Sequence, residues 1–245
     1  MSQPYPAVAQ AFDRAPATEE QAVRIAAQTP WVSALPARAA GWEWRTQQRV
    51  KRVADIVLAA AGLIVLAPLF AVLAMCVALD SPGPLLYRWR VMGYRGRPFT
   101  GYKFRTMVAE ADLLKEGLRH LNEMHGPVFK IRNDPRVTRL GRFMRTYSLD
   151  ELPQLWSVLV GHMSLVGPRP PSAGEFLSFT PEQRLKLAVR PGITCLWQVS
   201  GRANIKSFDE WARLDLKYIA EWSLWLDVKL LARTVPAVLG GGGAY

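Results

Sequence analysis

From residue 56 to residue 79 the chain carries no charged side chain. A helix rises about 1.5 Å per residue, so this run of 24 residues is long enough to cross roughly 30 Å of hydrocarbon. A fully buried helix of a soluble domain can be as uniformly apolar, but rarely over such a length. The run therefore predicts a helix that enters a bilayer. Trp42, Trp44, Arg45, Arg49, Lys51 and Arg52 precede it and suit the role of interface anchors and headgroup partners. Arg52 and Asp55 stand three apart on that helix and are expected to pair, easing the entry of Asp55. The other flank is just as basic, with Arg88, Arg90, Arg95, Arg97, Lys103 and Arg105. Orientation by positive charge is thus undecided. Pro68 sits near the middle, where it removes a backbone hydrogen bond and bends a helix. Two arrangements fit. A helix broken at Ala67-Pro68 dips into one leaflet and returns, leaving both basic flanks on one face. Alternatively the helix crosses, since proline is tolerated in membrane helices.

The 245 residues otherwise suffice for one domain with extensions. The net charge of +11 suits anionic lipid, phosphorylated substrates or nucleic acid. The basic residues flank the apolar run and no nucleic-acid motif accompanies them, which argues against the last of these. Two cysteines, Cys76 and Cys195, give no disulfide framework. The three histidines make no zinc pattern. Residues 1–48, rich in alanine, proline and glutamine up to about residue 40, read as a disordered or loosely helical arm. Residues 49–80 form the membrane segment and 81–245 the remaining domain. Within it, Leu85-Leu86-Tyr87 and Tyr102-Lys103-Phe104 read as extended. Residues 108–124, 137–144, 152–160, 207–219 and 222–239 read as helices, and Thr180-Pro181 starts another. The last of these carries Trp222, Trp225, Lys229 and Arg233 among aliphatics, which suits either a helix lying in the membrane interface or an ordinary packed one.

Ser148-Leu149-Asp150-Glu151 has the spacing of a capping box, with Ser148 as N-cap and Glu151 reaching back. Pro153 would then fall in the first helical turn. The pattern predicts two adjacent carboxylates at a helix start, where amides and the helix dipole favour negative charge. Such a pair can hold a hard cation such as Mg²⁺, and a carboxylate can attack phosphorus. It can also be no more than a cap. Arg169 lies in Gly167-Pro168-Arg169-Pro170, a stiff setting for a bidentate phosphate ligand. Arg190-Pro191-Gly192 and Gly201-Arg202 repeat an arginine on a turn.

Together these residues resemble the bacterial sugar transferases, the monotopic polyprenyl-phosphate phosphoglycosyltransferases. The matching pieces begin with Lys51-Arg52-x-x-Asp55, the run with Pro68, and Lys103-Phe104-Arg105-Thr106-Met107. They continue with Asn133-Asp134-Pro135-Arg136-Val137-Thr138, Leu149-Asp150-Glu151-Leu152-Pro153-Gln154 and Val166-Gly167-Pro168-Arg169-Pro170. Arg190-Pro191-Gly192-Ile193-Thr194, Trp197-Gln198-Val199-Ser200-Gly201-Arg202 and Leu226-Asp227 complete the series from about residue 49 onward. The resemblance implies an α-rich α+β fold: a small membrane-associated catalytic domain with one kinked re-entrant helix and interfacial amphipathic helices. It implies the bacterial inner membrane, with the catalytic domain on the cytoplasmic face. The implied reaction moves a sugar-1-phosphate from a UDP-sugar to undecaprenyl phosphate, with Mg²⁺, releasing UMP. The implied partners are these substrates and membrane lipid, and a homo-oligomer is compatible with them. Asp150 would be the nucleophile and Glu151 its partner, both also near the metal. Lys103, Arg105, Arg169, Arg190, Arg202 and Asp227 would contact substrate. The alternative is a non-catalytic membrane-associated scaffold of the same fold. Two departures stand out: this chain shows neither the extra membrane helices nor the further domain of larger relatives, and Ala67 stands where some relatives have serine before the proline.

Overall fold

The computed structural model describes residues 15–201 and 205–240. The fold is mostly helical, with two small two-stranded sheets. The expected N-terminal arm contains ordered structure: helix α1 (Ala15–Ala27) is part of the main core. Ala22 and Ala26, four apart and therefore on one face, are buried beside Met92, Phe176 and Phe179. The Trp31 indole N–H donates to Ala26 O at 3.1 Å and closes the end of the helix. Glu19 takes both forks of Arg90, Nε at 3.0 Å and Nη2. Alanine gives a weak periodic signal, yet it allows close helix packing.

The apolar run becomes two helices, α2 (Trp42–Val65) and α3 (Ala67–Asp80), bent by 61°. No single described helix is long and apolar enough to cross a membrane, but the bent pair is. The break falls at Leu66 (φ −87°, ψ 2°), and Pro68 lies in the first turn of α3, where its missing N–H costs nothing. The expected Arg52–Asp55 pair gives way to longer-range bonds. Arg52 donates to Val158 O (2.6 Å) and Leu159 O (2.9 Å), and Asp55 Oδ1 accepts from Leu165 N (3.0 Å). Trp44 is not an interface anchor. It is buried edge-on against Trp222, with ring centroids 4.6 Å apart, whereas Trp42 is exposed. On α3, Leu73 and Val77 pack with Phe104 and Met144. Ile64, Val65, Val72, Met75 and Leu79 point outward.

An antiparallel hairpin follows, β1 (Leu86–Met92) and β2 (Pro98–Phe104), with Tyr87 opposite Lys103 and Trp89 opposite Gly101. The long helix expected over residues 108–124 is instead a short α4 (Ala111–Leu114) and a 3₁₀ segment. Helix α5 (Arg139–Thr146), capped by Thr138, leads through a tight turn into α6 (Gln154–Leu159). Strand β3 (Ser164–Val166) pairs in parallel with β4 (Gly192–Thr194) across the short helices α7 (Ala173–Leu177) and α8 (Pro181–Arg184). Both short helices begin with reciprocal capping boxes, Ser172 with Glu175 and Thr180 with Gln183. Helices α9 (Leu196–Val199), α10 (Phe208–Glu221) and α11 (Leu224–Leu239) close the domain. Trp197 and Trp211 stack at 4.0 Å between α9 and α10. A buried Lys186–Asp215 ion pair (2.6 Å) anchors α10 from beneath. The outer face of α11 exposes Trp225, Val228, Val235 and Leu239.

Candidate active site

Asp150 and Glu151 are buried in a 3₁₀ turn, Leu149–Glu151, rather than in the first turn of an α-helix. The expected capping box is absent: Ser148 sits in the left-handed region (φ 53°), with no side-chain cap bond. A non-glycine residue at that φ is strained, and such strain clusters at functional sites. Glu151 is directed away from the turn, into a cationic setting. Its Oε1 accepts from Lys103 Nζ at 2.6 Å and faces Arg169 Nη1 at 3.5 Å. Three chain segments converge here: the turn, strand β2 and the loop after β3.

Lys103 is deeply placed. Burial pushes its ammonium below the ordinary lysine value, Glu151 opposes that shift, and Arg169 adds to it. Trp89 lies beneath both cations, its ring 4.6 Å from Lys103 Nζ and 5.5 Å from the Arg169 guanidinium carbon. The residue opposite Trp89 is Gly101, where a Cβ would stand 3.4 Å from the indole. That gap gives the ring its room. Trp89 was not among the expected site residues, because a tryptophan in a short strand looks like core.

Arg145, also missed in the sequence, is a third cation of this region. It donates to Thr106 Oγ1 at 2.9 Å. Burial lowers its pKa, and Asp150 is the foremost of the negative charges that hold it up. The signal lay in Arg145, five residues before Asp150, where a helix-face arginine reads as solvated.

Arg169 is held by backbone on both sides. Gly167 N donates to Thr194 O (3.0 Å), Gly192 N to Pro168 O (3.0 Å), and Met92 N to Pro171 O (2.9 Å). The two loops touch so closely that a Cβ on Gly192 would lie 2.0 Å from Gly167 N. Only glycine fits there. The Arg190-Pro191-Gly192 motif therefore supports the Arg169 loop through its main chain.

Three expected contacts fall elsewhere. Arg105 is buried and donates to Val77 O (3.1 Å) and Ser81 O, capping the C-terminal end of α3. The carbonyls at that end lack helical partners, so an adjacent guanidinium satisfies them. Asp227 is also buried and accepts from Lys51 (2.5 Å), Tyr218 (2.8 Å) and Trp222 (3.1 Å), joining α2 to α10 and α11. Arg190 turns its guanidinium to Gly161 O (3.2 Å) and the Tyr94 ring, at the end of α6. Arg202 lies outside the described residues. The Asn133-Asp134-Pro135-Arg136 motif is likewise structural: Arg136 grips Asp134 at 2.9 and 2.6 Å. Those bonds outweigh burial and hold the Asp134 carboxyl below its usual range.

No group of three or more potential metal ligands occurs among the described residues. A closed protein cage for a metal is therefore absent from them. Mg²⁺ is commonly held by one or two carboxylates completed by water and substrate phosphates, and the Asp150–Glu151 pair fits that mode.

Comparison with known proteins places this geometry. Residues 46–241 match the family model described as bacterial sugar transferase. A galactosyl transferase, CpsE, of Streptococcus agalactiae is 44% identical over 79% of this chain and 43% of its own length. An undecaprenyl-phosphate galactose phosphotransferase of Salmonella typhimurium is 41% identical over 82% of this chain and 43% of its own length. A UDP-glucose:undecaprenyl-phosphate glucose-1-phosphate transferase of Caulobacter vibrioides is 40% identical over 80% and 72% respectively. The chain thus spans less than half of the first two relatives and most of the third. With the match running through the bent helix pair, the acid turn and the Arg169 loop, the chain belongs to the bacterial sugar transferase family.

Proposed function

We propose that this protein transfers a hexose-1-phosphate from a UDP-sugar to undecaprenyl phosphate, releasing UMP, as the first membrane step of an exopolysaccharide, capsule or O-antigen type glycan. The observation that carries the reading is the buried Asp150–Glu151 turn with Lys103 and Arg169 converging on Glu151. Partly buried cations beside a buried carboxylate pair suit a diphosphate, whose oxygens accept charge-assisted bonds. The names of the relatives, which mention galactose, glucose-1-phosphate and undecaprenyl phosphate, point the same way.

In the proposed reaction an Asp150 oxygen attacks the phosphorus that bears the sugar. The bond from that phosphorus to the bridging oxygen breaks, and UMP leaves with the electron pair. An oxygen of the lipid phosphate then attacks the same phosphorus and frees Asp150. Lys103 and Arg169 offset charge on the transferring phosphoryl group, and Glu151 holds both cations in place. Mg²⁺, held by Asp150, Glu151 and the substrate diphosphate, would supply further charge neutralisation.

The fold also supports a dip into the cytoplasmic leaflet of the bacterial inner membrane rather than a crossing. Arg38, before α2, donates to Ala220 O and Trp222 O, while Arg105, after α3, is held by the end of α3. Both ends of the bent pair are thus attached to one domain, on one side of any bilayer it enters. Asp150→Asn should abolish UMP release while the protein stays folded, and brief exposure of wild type to UDP-sugar should leave sugar-phosphate on a peptide containing Asp150. More than a few per cent of activity in clean Asp150→Asn protein would refute the covalent mechanism.

A further inference from the structure

The segment matched by the family model begins at residue 46, so α1 (Ala15–Ala27) lies outside it. This helix nevertheless packs on the two elements that frame the cationic side of the site. One is the β1–β2 hairpin, which carries Trp89 and Lys103. The other is α7, whose N-cap Ser172 stands three positions after Arg169. Ala22 and Ala26 share a buried cluster with Met92 of β1 and Phe176 of α7.

Two kinds of contact join α1 to the hairpin. Glu19 accepts from Nε and Nη2 of Arg90, and Nη1 of the same guanidinium donates to Thr100 Oγ1 at 3.0 Å. Arg90 thus ties α1 to both strands, beside Trp89 on one and near Lys103 on the other. At the tip of the hairpin Ala26 presses on Gly96 so closely that a Cβ there would overlap its methyl group. Gly96 has φ 69°, and Arg95 before it is also left-handed, at φ 51°. A non-glycine residue holds that conformation only where its surroundings over-determine it, and α1 supplies part of those surroundings.

The hairpin and the Arg169 loop also meet directly. Met92 N donates to Pro171 O at 2.9 Å, and Val91 bridges Ser172. α1 therefore lies across a seam, with Trp89 on one side and Arg169 on the other, and their 5.5 Å contact spans it. The Arg169 side chain is 36% exposed and 3.5 Å from Glu151, at the outer limit of a hydrogen bond, so its position is sensitive to the seam.

We propose that α1 is a positioning brace for the transfer reaction: Glu19 and Ala26, acting through Arg90 and Gly96, hold the hairpin against the Arg169 loop and so set the placement of Trp89 under Arg169. The proposal rests on the transferase reading and gives a part in it to a segment outside the family-matched residues.

The test uses the full chain in lipid nanodiscs. Ala26→Leu forces α1 away from Gly96. Misplacing a reacting group by 1 Å costs about a hundredfold, so a shift of about half that should lower kcat for UMP release roughly tenfold, with the KM for UDP-sugar within about twofold of wild type. In a Trp89→Leu background the same change should cost less than about twofold, because the contact it disturbs is already gone. Losses that simply multiply overturn the proposal. Hydrogen exchange read by mass spectrometry needs no turnover. It should accelerate about tenfold over residues 86–104 while residues 224–239 keep the wild-type rate. Equal acceleration in both segments, or none in either, overturns the brace. If Ala26→Leu does not fold, Glu19→Arg gives the same two readouts in milder form, and Glu19→Arg/Arg90→Glu should restore both; a swap that restores neither overturns it too. Wild type that releases no UMP in the presence of both substrates sinks the transferase reading instead, and hydrogen exchange then decides on the brace alone.

Discussion

Replacing Lys103 with methionine separates stability from chemistry at this site. The side chains of Lys103 and Glu151 are only 14% and 10% exposed and lie 2.6 Å apart. Removing one partner of a buried pair costs about 3–5 kcal/mol, because the other charge is left in a poor environment. Here Arg169, 3.5 Å from the same oxygen, retains part of the compensation. We therefore expect Lys103→Met to cost about 2 kcal/mol, below that range. For a chain of this size that is a drop of roughly 4–8 °C in melting temperature. Lys103→Met/Glu151→Gln removes both charges and should recover most of the loss, since a neutral pair of similar volume has no desolvation debt. Both proteins should lose at least about a hundredfold in UMP release, because phosphoryl charge is no longer offset. Glu151→Gln alone adds a sign that can be read with pH. Burial already holds the Lys103 pKa below that of an unfolded lysine, and losing Glu151 lowers it further. Between the folded and unfolded values the unfolded chain then binds more protons, so stability should rise with pH across that window, up to about 10.4. Melting by tryptophan fluorescence in detergent, with UMP release on the same samples, gives both readouts. A double variant destabilised by the sum of the two singles would refute the reasoning, as would Lys103→Met melting with wild type.

Two further substitutions probe the reassigned residues. Trp89→Leu removes two cation–π contacts of about 0.5–2 kcal/mol each, so kcat/KM should fall about tenfold or more, with Trp89→Phe falling less; equal activity of all three proteins would show the ring to be inert. Asp227→Ala leaves the donors of Lys51, Tyr218 and Trp222 without their acceptor and should cost about 3 kcal/mol, with the KM for UDP-sugar unchanged, whereas a raised KM at unchanged stability would make Asp227 a substrate contact after all.

Much of the site could be read from residue order. Asp150 and Glu151 stand side by side in one buried turn, and Arg169, between prolines, comes within 3.5 Å of Glu151. The local geometry was less legible. Ser148-x-x-Glu151 has the letters of a capping box, but Glu151 finds Lys103 from β2, 48 positions away in sequence, and that bond outcompetes the local one. The real capping boxes, at Ser172 and Thr180, form where no distant partner competes. The basic residues misled in the same way. Arg105, Arg190 and Arg52 have the composition of phosphate ligands, yet each donates to carbonyls at a helix end. Nothing in their immediate neighbours records that use.

The sequence by itself determined the long apolar run, its interruption near Pro68, the acid pair and the Gly-Pro-Arg-Pro setting of Arg169, because hydrophobic length, proline geometry and motif spacing are local properties. Tertiary structure alone decided that α1 belongs to the core, that the bent pair is held at both ends by one domain, that Trp89 lies under the two cations that approach Glu151, and that Arg145 feels the charge of Asp150. It also decided that Asp227 and Arg105 tie chain segments together. These outcomes depend on which unsatisfied carbonyl, carboxylate or ring lies within about 3–6 Å once distant segments meet, and hydrogen bonds and cation–π contacts have no reach beyond that.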